Sequence, residues 1–165
     1  MSPDRIQTII FSLKYNGYLK GRIMKISARN VFEGNISAIT AGPVSAEVEL
    51  TTVGGDRIVG TITQASAASL GLAVGKPAVA LVKASSVMVM TDGSDVQLSA
   101  RNCLAGSVKK YVPGPVSAEV VIGLPGGAEI FASITREAAG DLGIKEGLSA
   151  TAVIKASSVI IGARR

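Results

Sequence analysis

Gly42-Pro43-Val44-Ser45-Ala46-Glu47-Val48 returns unchanged as Gly114-Pro115-Val116-Ser117-Ala118-Glu119-Val120, 72 positions further along the chain. At the same offset Ser27-Ala28-Arg29-Asn30 returns as Ser99-Ala100-Arg101-Asn102, and Lys83-Ala84-Ser85-Ser86-Val87 as Lys155-Ala156-Ser157-Ser158-Val159. The register never slips, so the chain is a tandem repeat, and that settles architecture before any single residue does. Within each copy, Val44, Ala46, Val48 and Leu50 alternate with Ser45, Glu47 and Glu49, the period of a strand with one wet face. Gly54-Gly55-Asp56 signals a hairpin, and Ile58–Thr63 reads as the next strand.

The text then changes. Thr63 precedes Gln64-Ala65-Ser66-Ala67-Ala68-Ser69-Leu70-Gly71, a short Ala-rich helix with a Thr N-cap and a Gly stop. Thr135 and Gly143 punctuate the second copy alike. Ala78–Val82 reads as a buried strand, and Val87-Met88-Val89-Met90 is expected to close its own lobe. Gly34 is expected to mark a bulge or bend. Five strands with one short helix describe a small OB-like barrel, so the fold class is all-β, two tandem OB-like five-stranded barrels. The expected domains are 24–93 and 94–165, joined at the polar bridge Thr91–Asp95, after a non-repeat extension, 1–23. That extension holds Phe11, Tyr15 and Tyr18, half the aromatics of the chain, and its composition breaks sharply at Met24. Met24 is therefore expected to be the native start; the alternative is a short arm that pairs with a neighbour.

Composition removes several function classes. The 165 residues contain no His and one Cys, which excludes an intrachain disulfide, Cys/His zinc sites and His-dependent catalysis. Cys103 stands where the first copy has Val31, so it is expected to fill a core position. The net charge is +5, but Arg5, Lys14, Lys20 and Arg22 against Asp4 concentrate it in the extension. Past Met24 the aromatics are Phe32, Tyr111 and Phe131, too few for the stacking platforms of OB-type nucleic-acid binding. No apolar run is long enough to span a bilayer, and the N-terminus lacks the pattern of a secretory signal, so a cytoplasmic location is expected, with no membrane and no nucleic acid as partner.

Three polar elements kept in both copies stand out, Ser27/Arg29, Thr63 and Lys83-Ala84-Ser85, with Ser99/Arg101, Thr135 and Lys155-Ala156-Ser157 as twins. They offer a guanidinium, an ammonium, hydroxyls and closely approachable backbone N–H groups, which is a donor set for a small oxyanion. Glu47 and Glu119 recur but are expected on the wet face. No general base stands beside a nucleophile, so an enzyme is not expected.

At these residues the chain resembles the molybdate-binding Mop family. Ser27–Asn30, Gly42–Val48, the Ile62-Thr63 to Leu72 segment and Lys83-Ala84-Ser85 carry the likeness, and the second copy carries it again. The tandem arrangement is similar to a di-domain molbindin, a cytoplasmic store or buffer of molybdate. The resemblance implies molybdate (or tungstate) as ligand, with no metal cation and no nucleotide. It also implies a homotrimer, oxyanion sites at interfaces between lobes built from the twelve residues above, and axial sites near Val44-Ser45-Ala46 and Val116-Ser117-Ala118. A molybdate-sensing regulatory module is the alternative within that resemblance. No helix-turn-helix fits into 23 residues and no Gly-Lys-Ser/Thr phosphate loop is present.

Overall fold

The computed structural model describes residues 24–93 and 95–163. The expectation that Met24 is the native start concerns residues outside that range. The first copy contributes β1 (Asn30–Ala41), β2 (Ser45–Thr52), β3 (Arg57–Thr63), α1 (Gln64–Ser69), β4 (Pro77–Val82) and β5 (Met88–Met90). The second contributes β6 (Asn102–Pro113), β7 (Ser117–Gly123), β8 (Glu129–Thr135), α2 (Arg136–Asp141), β9 (Ser149–Ile154) and β10 (Ile160–Ala163). A 3-10 turn, Ala84–Ser86 or Ala156–Ser158, precedes the last strand of each copy. The expected fold class holds: two five-stranded antiparallel sheets, each with one short helix after its third strand.

The membership of those sheets differs from expectation. Their orders are β10-β4-β1-β2-β3 and β5-β9-β6-β7-β8, so the two copies exchange their last strands. Val87–Met90 does not close its own lobe: Met88, Val89 and Met90 pair with Val153, Ala152 and Thr151. Ile160–Ala163 pairs in return with Leu81–Ala78. Both terminal strands carry the same apolar pattern, so either edge accepts either strand. β10 also packs against β3, which brings the first sheet close to a closed barrel. Val159 and Ile161 reach across Gly60, where an added Cβ would stand 3.1 Å from Ile161. One apolar cluster consequently runs through both lobes, from Phe32, Ile36, Val48 and Leu50 to Val120, Ile122, Ile130 and Ile154. Each lobe of about 70 residues would be marginal alone; the exchange makes the core common.

Two local readings are corrected. The bulge in β1 is at Ser37, skipped between the pairs Ile36–Leu50 and Ala38–Glu49, and its twin in β6 is at Lys109. Gly34 serves a different need: a Cβ there would lie 2.1 Å from the Thr51 carbonyl oxygen, and one at Gly106 2.2 Å from that of Gly123. Only glycine permits that backbone approach. Cys103 is exposed rather than in the core. Strand alternation explains it, because Asn102 next to it takes the buried side of β6.

Candidate functional site

Asn30 and Asn102 begin β1 and β6 and are, among the described residues, the buried polar side chains, each 1% exposed. Each reaches into the other copy. Asn102 Oδ1 accepts from the Val59 N–H at 2.7 Å, and its Nδ2 donates to the Val59 carbonyl at 2.8 Å and to the Ile154 carbonyl at 3.2 Å. Asn30 makes the same pair of bonds to Phe131, at 2.7 and 2.8 Å. The primary amide imitates a neighbouring strand, meeting both backbone groups of an edge residue that would otherwise be buried unpaired. These bonds fix where the Ser-x-Arg segments immediately upstream sit relative to the opposite lobe.

The arginines of those segments cross over too. Arg101 donates through Nε and Nη2 to the Glu47 carboxylate at 3.1 and 2.7 Å, a bidentate pair. Its hydrogen bonds to Glu47 hold the Arg101 guanidinium above its ordinary pKa. Arg29 pairs with Glu119 and lies 4.5 Å from the centroid of the Phe131 ring. Glu47 and Glu119 are thus half-buried and ion-paired rather than freely solvated, although they do alternate as expected on β2 and β7. Sequence periodicity assigned their face; nothing in it pointed to a partner 54 or 90 residues away.

The remaining candidates fall into place around these contacts. Asn30 pairs with Val82, so Ser27, Arg29 and the Lys83-Ala84-Ser85 turn share one end of the first sheet. Ser27, Lys83 and Ser85 are exposed there and Ala84 is half-buried. In the second copy Ser99, Lys155 and Ser157 are exposed and Ala156 is buried. Thr63 is not at that end. β3 runs alongside β2 to the pair Ser45–Thr63, at the opposite end of the same sheet. The turn Ala84–Ser86 instead packs against β8, which ends at Thr135, and Ala156–Ser158 packs against β3, which ends at Thr63. Thr63 and Val159, the residue directly after that second turn, line one groove together with Ser45, Thr61, Ser66 and Ile160. Each Lys-Ala-Ser turn therefore packs against the strand that ends at the threonine of the other copy.

Both threonines are the expected N-caps. Thr63 Oγ1 accepts from the Ser66 N–H at 3.0 Å, and Thr135 Oγ1 from the Ala138 N–H at 3.1 Å. An N-cap hydroxyl already accepting from the helix presents its own O–H outward. Thr63 gives that proton-bearing side to Ser66 Oγ, 2.7 Å away. Among the described residues, no group of three or more His, Cys, Asp and Glu could hold a metal ion, and no helix is long and apolar enough to cross a membrane.

The chain is similar to several known proteins. The TOBE domain family matches residues 26–89 and again 98–161. A molybdenum transport protein ModE of Herbaspirillum seropedicae is 44% identical over 149 residues, which is 90% of this chain and 55% of the relative. A molybdenum-pterin-binding protein MopA of Rhodobacter capsulatus is 41% identical over 138 residues, 84% of this chain and 52% of the relative. The chain thus spans about half the length of these curated relatives. A solved structure of the cytoplasmic molybdate-binding protein ModG, with molybdate bound, superposes with a TM-score of 0.83 at 54% identity, covering 86% of this chain and all of that one. With both halves matched and the whole of a solved relative covered, the chain belongs to the TOBE (Mop) domain family and carries two such domains in tandem.

Proposed function

We propose that this protein binds molybdate, and tungstate with it, at composite sites where one lobe meets the other, and that it stores or buffers the oxyanion in the cytoplasm as a homotrimer. The observation that carries the reading is the duplicated donor set, present in a chain 54% identical to a protein solved with molybdate bound. One site comprises Ser27, Arg29, Lys83, Ala84 and Ser85 with Thr135. The other comprises Ser99, Arg101, Lys155, Ala156 and Ser157 with Thr63.

The chemistry follows from the ligand. Molybdate is a tetrahedral dianion, and burying it is costly unless its charge is met and its oxygens are bonded. Lys83 and Lys155 supply a mobile ammonium at the mouth of each set, and the hydroxyls and backbone N–H groups complete the oxygen shell. The guanidiniums are ion-paired with Glu119 and Glu47, so Arg29 and Arg101 contribute through the backbone at their positions. Bonds to a charged group contribute about 1.5–3 kcal/mol each, and three or four of them, less the entropy of association, correspond to roughly micromolar affinity.

Exposed apolar residues at matching positions support the assembly. Val44 and Val116 are 78% and 79% exposed, and Ile26/Leu98 and Met88/Ile160 are exposed with them. A repeated apolar pattern of this kind on the surface suits burial against further copies. The axial sites near Ser45 and Ser117 belong to that contact. The test is Lys83→Ala combined with Lys155→Ala. Calorimetry is expected to show molybdate affinity falling at least about 100-fold, with an unchanged melting temperature in the absence of ligand. Unchanged affinity would overturn the site assignment, and light scattering that gives a stable monomer with full molybdate capacity would overturn the trimer.

A further inference from the structure

Two carboxylates stand where an anion site would least want them. Glu47 and Glu119 recur in both copies, and each holds the arginine of the opposite Ser-x-Arg segment. The arginine side chains are half exposed, 49% and 58%, and such pairs contribute little to stability. A negative charge beside a dianion lowers its affinity. A contact that adds little stability and opposes binding, yet is built twice, calls for another role.

The geometry points to Glu47 and Glu119 as specificity-determining positioning residues: by pairing with and neutralising the Arg101 and Arg29 guanidiniums, they keep a general oxyanion clamp from forming beside the molybdate sites. This inference rests on the proposed molybdate sites. A free guanidinium presents a rigid pair of N–H groups that grips sulfate and phosphate as readily as any tetrahedral anion. At Arg101 that edge is spent, since Nε and Nη2 both point at Glu47. At Arg29 the guanidinium carbon lies over the Phe131 ring while Glu119 accepts a hydrogen bond from Nη1. What remains for the ligand is one ammonium, with neutral hydroxyl and amide donors whose spacing is fixed by the fold. Such a site separates anions by oxygen-to-oxygen size, because its donors cannot swing inward to follow a smaller ion.

The experiment uses the full chain and its Glu47→Gln/Glu119→Gln double variant, titrated with molybdate, sulfate and phosphate at constant ionic strength. Removing one negative charge near each site and freeing a fork is expected to raise sulfate and phosphate affinity roughly tenfold. Molybdate is expected to gain less, so the molybdate-to-sulfate ratio falls. Restoring a carboxylate with Glu47→Asp/Glu119→Asp is expected to return much of the ratio. If the glutamates merely tied the lobes together, the Gln variant would melt lower and lose affinity for all three anions alike, with the ratio unchanged; that result overturns the inference. A wild-type chain that binds no molybdate overturns the function itself. A wild type that binds it, beside a variant of equal selectivity, overturns only the selectivity role of the two carboxylates.

Discussion

Replacing Asn102 by alanine removes an amide that alone satisfies both backbone groups of Val59 across the lobe boundary. Val59 is 6% exposed, so solvent does not readily substitute for it. Each buried backbone group left without a partner costs about 1–3 kcal/mol. Two of them, with a weaker third bond to Ile154 at 3.2 Å lost as well, give about 3–5 kcal/mol, a large fraction of the stability of any domain. For a chain of this size that corresponds to a fall of roughly 8–15 °C in melting temperature. The assay is thermal melting and urea denaturation at one fixed protein concentration, since assembly by itself would shift the midpoint. The urea midpoint is expected to fall with the slope unchanged. Asn102→Leu fills most of the volume yet leaves Val59 unpaired, so it is expected to recover only a minor part of the loss. A loss below about 1 kcal/mol for Asn102→Ala, or full recovery with leucine, would refute the idea that the amide acts as a surrogate strand.

Two further outcomes follow from the same geometry. Burial raises the Asp56 pKa above its ordinary 3.8, against a smaller opposing hydrogen bond from Thr52, and its Oδ2 has no partner. A group whose folded pKa is raised contributes stability that is full below its unfolded value and is lost as pH rises through the folded pKa. Asp56→Asn is therefore expected to melt higher than wild type at pH 7, with the gap closing as pH falls toward 3.8, as pH-resolved thermal scans would record. Because β5 and β10 are exchanged, residues 24–93 expressed alone are expected to dimerise by mutual strand exchange rather than form a stable monomer; light scattering that finds a folded monomer would contradict this.

Local chemistry explains what was legible in the linear chain. The Thr63 and Thr135 caps, the hairpin at Gly54-Gly55-Asp56 and the alternation of Val44 to Leu50 depend on neighbours a few positions apart, and each stands as expected. The same reasoning failed at Gly34, where it placed a bulge that lies at Ser37, and at Cys103. A glycine that admits a carbonyl from the next strand and one that makes a bulge look identical in a linear text, and the difference is the Thr51 oxygen. Among the candidate residues, Ser27, Arg29 and Lys83–Ser85 gather through β1–β4 pairing, which any antiparallel barrel of this order brings about. The second Lys-Ala-Ser turn packs against the strand ending at Thr63 and the first against the strand ending at Thr135, a crossing invisible at a fixed offset because each motif is present twice.

The repeat alone determined that there would be two equivalent five-stranded units, where their helices begin, and which polar side chains come in matched sets. It could not determine which unit each final strand completes. Val87-Met88-Val89 and Val159-Ile160-Ile161 carry the same apolar pattern, so the local sequence does not choose between cis and exchanged pairing. The choice falls to how the chain leaves the 3-10 turns at Ala84–Ser86 and Ala156–Ser158 and to contacts made only between lobes: Asn30 with Phe131, Asn102 with Val59, Arg29 with Glu119, Arg101 with Glu47. Those contacts join residues that no local pattern relates, and they exist only once both sheets have formed and closed on each other.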